Sequence, residues 1–131
     1  MYNLWIVVIV LAIIEIAVLV LHFMAQRLDW FDVEDATSGA LFLFTVLLTV
    51  VIILAITNPL DATKTVNSLL AERDALQNLF ENREDLDKIY ITQRVVEYNK
   101  EVARIIGKVK SLGNWSAYAF TDYELLTFIE I

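Results

Sequence analysis

Glu15 and His22 are the side chains in the first apolar segment whose types suit proton exchange, and Thr45 and Thr49 in the second can hydrogen-bond to them. Glu15 interrupts "IVVIVLAIIEIAVLVL" (residues 6–21), which is otherwise wholly apolar. On a helix, positions 8, 11, 12, 15, 18, 19 and 22 share a face, so His22 lies two turns from Glu15 and Gln26 one turn beyond. A carboxyl in such surroundings normally faces a protein interior or a water-filled path. Two uses are open. Protonated Glu15 bonds Thr49, Thr45 or a neighbouring subunit and glues helices together, worth about 1 kcal/mol. Alternatively, Glu15 and His22 line an oligomeric pore or a proton relay. Glue is favoured, with Thr49 the expected partner by depth, because one acid without a basic partner makes a thin relay. His22 alone reads as an interfacial residue.

No other grouping promises chemistry. The chain has no cysteine and one histidine, which removes thiolate sites and most zinc and triad geometries. Three glycines leave little from which to build a phosphate cradle, and there is no nucleophile elbow. We expect no enzyme, no cofactor and no metal. A net charge of −7 argues against nucleic acid as a partner.

The elements that carry Glu15 and the threonines are apolar blocks. Hydrophobic residues make up 58% of the 131, against about 45–50% in a globular domain. Residues 4–21 and 40–57 contain one charge between them, Glu15. A bilayer core needs roughly 20 apolar residues as helix, and about 17 suffice. Spans of about 4–25 and 40–57 follow, joined by an acidic outer loop, 26–39. "MYNLW" lacks the basic start of a signal peptide, so the first span is read as a retained anchor. Tyr2, Trp5, Trp30 and Phe31 flank it, where aromatic side chains favour headgroups. Asp35 or Ser38 would cap the second span. The loop holds only Arg27 among Asp29, Asp32, Glu34 and Asp35, whereas nine Lys and Arg follow residue 57. Both termini are therefore expected in the cytoplasm.

Asn58-Pro59 reads as the cap and first turn of a new helix. Over 58–112 the pattern is helical, beginning with Ala62, Val66, Leu69, Leu76 and Phe80. Ile91, Val95, Tyr98, Val102, Ile105, Val109 and Leu112 then alternate steps of four and three, a heptad seam that needs a partner helix. Asn82 with Asp85 would cap a second helix and make an antiparallel pair. One long helix remains open, but the pair is preferred because it gives both stripes a cover. Gly113 suits the left-handed position that ends a helix. The tail, 113–131, is rich in aromatics and is expected to pack onto the helices, or onto the membrane face if the pair returns the chain there. Lys100, Arg104, Lys108 and Lys110 form a basic row, read as a solvated face rather than a lipid contact, since Glu97 and Glu101 dilute it.

"QRVVEYNKEVARIIGKVKSLGNWSAYAF" and "ELLTFIEI" resemble the C-terminal part of small uncharacterised membrane proteins encoded by phages and prophages. Tyr98-Asn99, Trp115 and the final "FIEI" carry the likeness. The same helix is similar, more faintly, to the end of the LemA family of membrane-anchored helical proteins, without their second Y-N pair or the F-P that follows it. The resemblance covers roughly residues 92–131 and implies bacterial or phage origin, with no activity attached.

The fold expected is an all-α membrane protein: a two-helix transmembrane hairpin plus a cytoplasmic helical, coiled-coil-like segment. The expected partners are the lipid bilayer and either further copies or another membrane-associated protein. The expected place is a bacterial inner or plasma membrane. The expected function is self-association or partner binding through the cytoplasmic seam, so that Val102→Asp would break assembly and spare insertion. The alternative is a holin-like oligomeric pore using Glu15.

Overall fold

The computed structural model describes residues 2–81 and 88–130, and these are helical throughout except for short turns and an extended tail. Helix α1 runs Asn3–Arg27, α2 Phe31–Glu81 and α3 Lys88–Leu112, followed by 3-10 turns at Gly113–Trp115, Ala117–Phe120 and Tyr123–Leu125. By its internal contacts the chain divides into two units, Met1–Thr57 and Asn58–Ile131. The capping role expected of Asn82 and Asp85 lies outside the described residues.

In the first unit, α1 and the first half of α2 are each long and apolar enough to cross a membrane. The linker is shorter than the sequence implied. The acidic stretch 26–39, expected as a loop, is helical apart from residues 28–30. Helix α1 ends when Asp29 takes a left-handed φ of 54°. Trp30 N–H then reaches back to Ala25 O at 2.9 Å and Leu28 N–H to Met24 O at 3.0 Å. This double closure satisfies two carbonyls of the last turn, with aspartate where glycine is usual. The next helix therefore starts at Phe31, and neither Asp35 nor Ser38 is its cap.

Asn58-Pro59 does not start a new helix either. Helix α2 continues through Pro59, where the missing amide leaves Ala55 O without its usual donor. The division between the two units falls at this weakened point.

In the second unit, α3 packs on the C-terminal part of α2. Arg94, in the second turn of α3, pairs with Glu72 of α2 at 3.3 Å. Run antiparallel from that pair, Leu76 falls within two residues of the level of Ile91, Leu69 of Tyr98 and Val66 of Val102, and all six are buried in one cluster, so the helices are antiparallel. One cluster joins Val66, Leu69 and Leu76 of α2 with Ile91, Val95, Tyr98, Val102 and Ile105 of α3 and with Leu126 and Ile129 of the tail. Gly113, at φ 53°, ends α3 in the expected left-handed position. Ser116 is buried and its hydroxyl accepts Tyr118 N–H at 3.3 Å, capping the second turn.

Candidate functional site

The polar side chains of the first unit form a ladder between its two helices. Val8, Leu11, Glu15, Val18 and His22 are the partly buried residues of one α1 face, while Ile13, Ile16 and Phe23 on the others are exposed. Three ties cross to α2. Glu15 accepts the Thr45 hydroxyl. His22 Nδ1 lies 2.8 Å from Thr37 Oγ1. Gln26 Nε2 donates to Glu34 Oε1 at 3.3 Å. As positions rise along α1 their partners fall along α2, which fixes an antiparallel register.

Thr45, rather than Thr49, is the partner of Glu15; the Thr49 hydroxyl donates instead to Thr45 O at 2.8 Å. Thr45 is the other of the two threonines left open above, one turn from the one that depth favours, for a geometric reason. A loop over 26–39 centres the hairpin several residues later than the observed turn at 28–30, and that displaces every cross-helix pairing by about a helical turn.

The rungs near the turn assign their own protons. Thr37 has a single hydroxyl proton, directed at Val33 O (2.7 Å) and Glu34 O (3.0 Å). His22 Nδ1 must then be the donor to Thr37 Oγ1, which leaves Nε2 as an acceptor. Gln26 Nε2 sits 3.3 Å from His22 Nε2 and supplies that proton. Its second amide proton goes to Glu34. Thr37, 5% exposed, is buried within this network.

The second unit places the heptad seam inside its own core. Ile91, Val95, Tyr98, Val102 and Ile105 are all buried against α2 and the tail. Val109 is only partly buried and Leu112 is exposed. Sequence reasoning missed what holds the tail. Asn99 Nδ2 donates to Ile129 O at 3.0 Å, and Ile129 N–H donates to Asn99 Oδ1 at 2.9 Å. The Tyr98 hydroxyl donates to Thr127 O at 3.1 Å. The adjacent Tyr-Asn pair was the available signal. Burial pushes the Tyr98 phenol above its ordinary range, partly offset by nearby Arg73. In the basic row, Arg104 forks onto Glu101 at 2.9 and 3.0 Å and Lys108 Nζ stands 5.8 Å from the centre of the Tyr118 ring.

A hollow of about 410 Å³ lies beside the tail, lined in part by Arg73, Gln77 and Phe128. The Arg73 Nε is buried there without a hydrogen-bond partner among the described residues. No group of three or more His, Cys, Asp or Glu side chains fit to hold a metal occurs among the described residues. Comparison with known protein families, with curated proteins and with solved structures returns no match.

The Glu15–Thr45 tie gives a direct test of the acid's role. Glu15→Gln keeps a carbonyl for the Thr45 hydroxyl and should be nearly silent. Glu15→Leu and Thr45→Val should each weaken the hairpin by about 1 kcal/mol, read as an earlier midpoint in titration with sodium dodecyl sulfate. Wild-type protein in liposomes should pass no ions. Flux that disappears in Glu15→Gln would reverse the assignment and make the acid a pore residue.

Proposed function

We propose that this is a two-pass membrane protein that presents a folded helical unit at the cytoplasmic face, to further copies of itself or to a membrane-associated partner, without catalysis. The observation that carries this reading is a contrast in burial. The second unit closes a core of its own. The first leaves Ile13 and Ile16 at 62% and Phe42 at 75% exposure, on helices of spanning length. So much contiguous apolar surface is far beyond what a soluble monomer exposes, and a bilayer covers it. Such a bilayer also leaves backbone groups no partner outside the helix, and α1 and the apolar half of α2 are helical, with Ala55 O, facing Pro59 at the end of the segment, the exception.

The seam is occupied within the chain, so recognition falls to surfaces outside it. The outer face of α3 offers Ile89, at 78% exposure, with Gln93 and Val96 at helical spacing on the same side. The Glu15–Thr45 tie supports a structural role for the acid over the holin-like alternative. The resemblance of residues 92–131 to phage and prophage proteins supports a bacterial inner membrane as the setting.

Cysteine labelling tests the topology, since the native chain has no cysteine to interfere. Asp32→Cys should react with an impermeant maleimide in intact cells, and Asn78→Cys only after permeabilisation; both positions are exposed. The reverse pattern would invert the orientation, and labelling of both in intact cells would end the two-pass reading.

A further inference from the structure

The hollow beside the tail has the lining of a small-molecule site. We propose that it binds a diamino monocarboxylic acid of the lysine type, with the carboxylate on Arg73 and the ammonium groups on Glu81 and Glu130. The site lies wholly within the second unit. Arg73, Gln77, Phe80 and Glu81 come from successive turns of α2, and Phe128 and Glu130 from the extended tail. Its volume of about 410 Å³ falls among small-molecule sites, which run about 300–1,000 Å³.

The charges on this lining select the ligand. Arg73 Nε is buried without a hydrogen-bond partner among the described residues. The ion pair that Arg73 makes there, from Nη1 to Asp74, is 3.9 Å long and ends on a carboxylate 79% exposed to water, so it is weak. The Arg73 side chain is itself 29% exposed, and a carboxylate entering the hollow can reach the guanidinium and take two of its N–H groups. Gln77, one turn along and exposed, adds an amide. Among the described residues neither Glu81 nor Glu130 forms an ion pair, and both are exposed. One cation and two anions therefore share the hollow. A simple anion meets the excess of negative charge, and a simple amine leaves Arg73 unanswered. One carboxylate with two ammonium groups matches the set.

Spacing favours the same class. Arg73 and Glu81 stand roughly 12 Å apart along α2 at about 1.5 Å per residue, and their side chains close part of that gap. A methylene chain between the carboxylate end and the far ammonium spans the rest. The rings of Phe80 and Phe128 can cover those methylenes, and an aromatic face also attracts an ammonium.

Titration of the full chain in detergent micelles with L-lysine tests the site, read by nitrogen-resolved NMR of the Arg73 Nε–H. That signal is assigned by its loss in Arg73→Lys. Lysine should shift it saturably and bind about ten-fold or more tightly than norleucine, which lacks the side-chain ammonium, or cadaverine, which lacks the carboxylate. Glu81→Gln combined with Glu130→Gln should erase the advantage of lysine over norleucine. No shift with lysine at about 10 mM, far above a useful affinity, overturns the site. Cadaverine binding as tightly as lysine overturns the role of Arg73. An advantage of lysine over norleucine that survives the double substitution overturns the role of the two carboxylates.

Discussion

Val102→Asp should unfold the second unit while both apolar helices still insert. Val102 is fully enclosed by the core that α3 shares with α2 and the tail. An aspartate there must either bury an unpaired charge or stay protonated without a hydrogen-bond partner, and either costs several kcal/mol. A unit of this size has a total stability of roughly 4–11 kcal/mol. Loss of more than about 4 kcal/mol therefore exposes its helices to protease at ordinary temperature. If the proposed two-pass placement holds, the apolar helices derive their placement from lipid, so carbonate extraction should still leave the protein in the membrane. Leu112→Asp, on the same stripe but exposed, should change stability by less than about 0.5 kcal/mol. That difference separates an internal core from a seam between chains. In an intermolecular seam both substitutions would weaken assembly and neither would unfold the protomer. A Val102→Asp protein with wild-type protease resistance would contradict the core described here.

The stripe on α3 illustrates how far the sequence reaches. Steps of four and three from Ile91 to Ile105 specify a helix with one face that must be covered. They do not specify whose residues cover it. That depends on Val66, Leu69 and Leu76 of α2, and on Leu126 and Ile129, which lie in an extended tail where a helical period has no meaning. The two long apolar helices were equally legible, because an unbroken apolar run of that length is read from composition alone. Their ends were not. Residues 31–39 are polar and include Gly39, so composition reads as loop, yet the helix is held there by Thr37 and Glu34 bonding across to α1. Pro59 carries the opposite lesson. Local preference places it in a first turn, but α2 stays continuous through it at the loss of one backbone bond. Thr45 then follows from the turn, since a hairpin's register is only as good as the position of its connection.

The tail depends on Asn99, and its replacement is the second change expected to have a large effect. The side-chain amide faces the Ile129 peptide with one donor and one acceptor, at 3.0 and 2.9 Å, as a neighbouring strand would. Asn99→Leu removes both bonds and leaves a backbone N–H and C=O without partners, at about 1–3 kcal/mol for each group that stays buried. Leu126 and Ile129, at 3% and 8% exposure, would then lose their seat against α3. Carboxypeptidase should trim the variant rapidly while the wild-type tail resists. Asn99→Asp is the sharper probe because it keeps the shape. One carboxylate oxygen still accepts Ile129 N–H, but the other now opposes Ile129 O, and two acceptors repel. Charging the new carboxyl is thus less favourable in the folded state, and its folded pKa lies above the ordinary value of about 4. A group shifted in that direction contributes stability below its unfolded pKa and loses it as pH rises through the folded one. The Asn99→Asp tail should therefore resist carboxypeptidase Y near pH 4, where the protonated acid can donate to Ile129 O, and be released near pH 7. Tyr98→Phe, which loses only the bond to Thr127 O, should cost about 1 kcal/mol and show no such pH dependence. A tail equally protected in Asn99→Asp at both pH values would mean that the amide clasp does not hold it, and that Leu126 and Ile129 suffice.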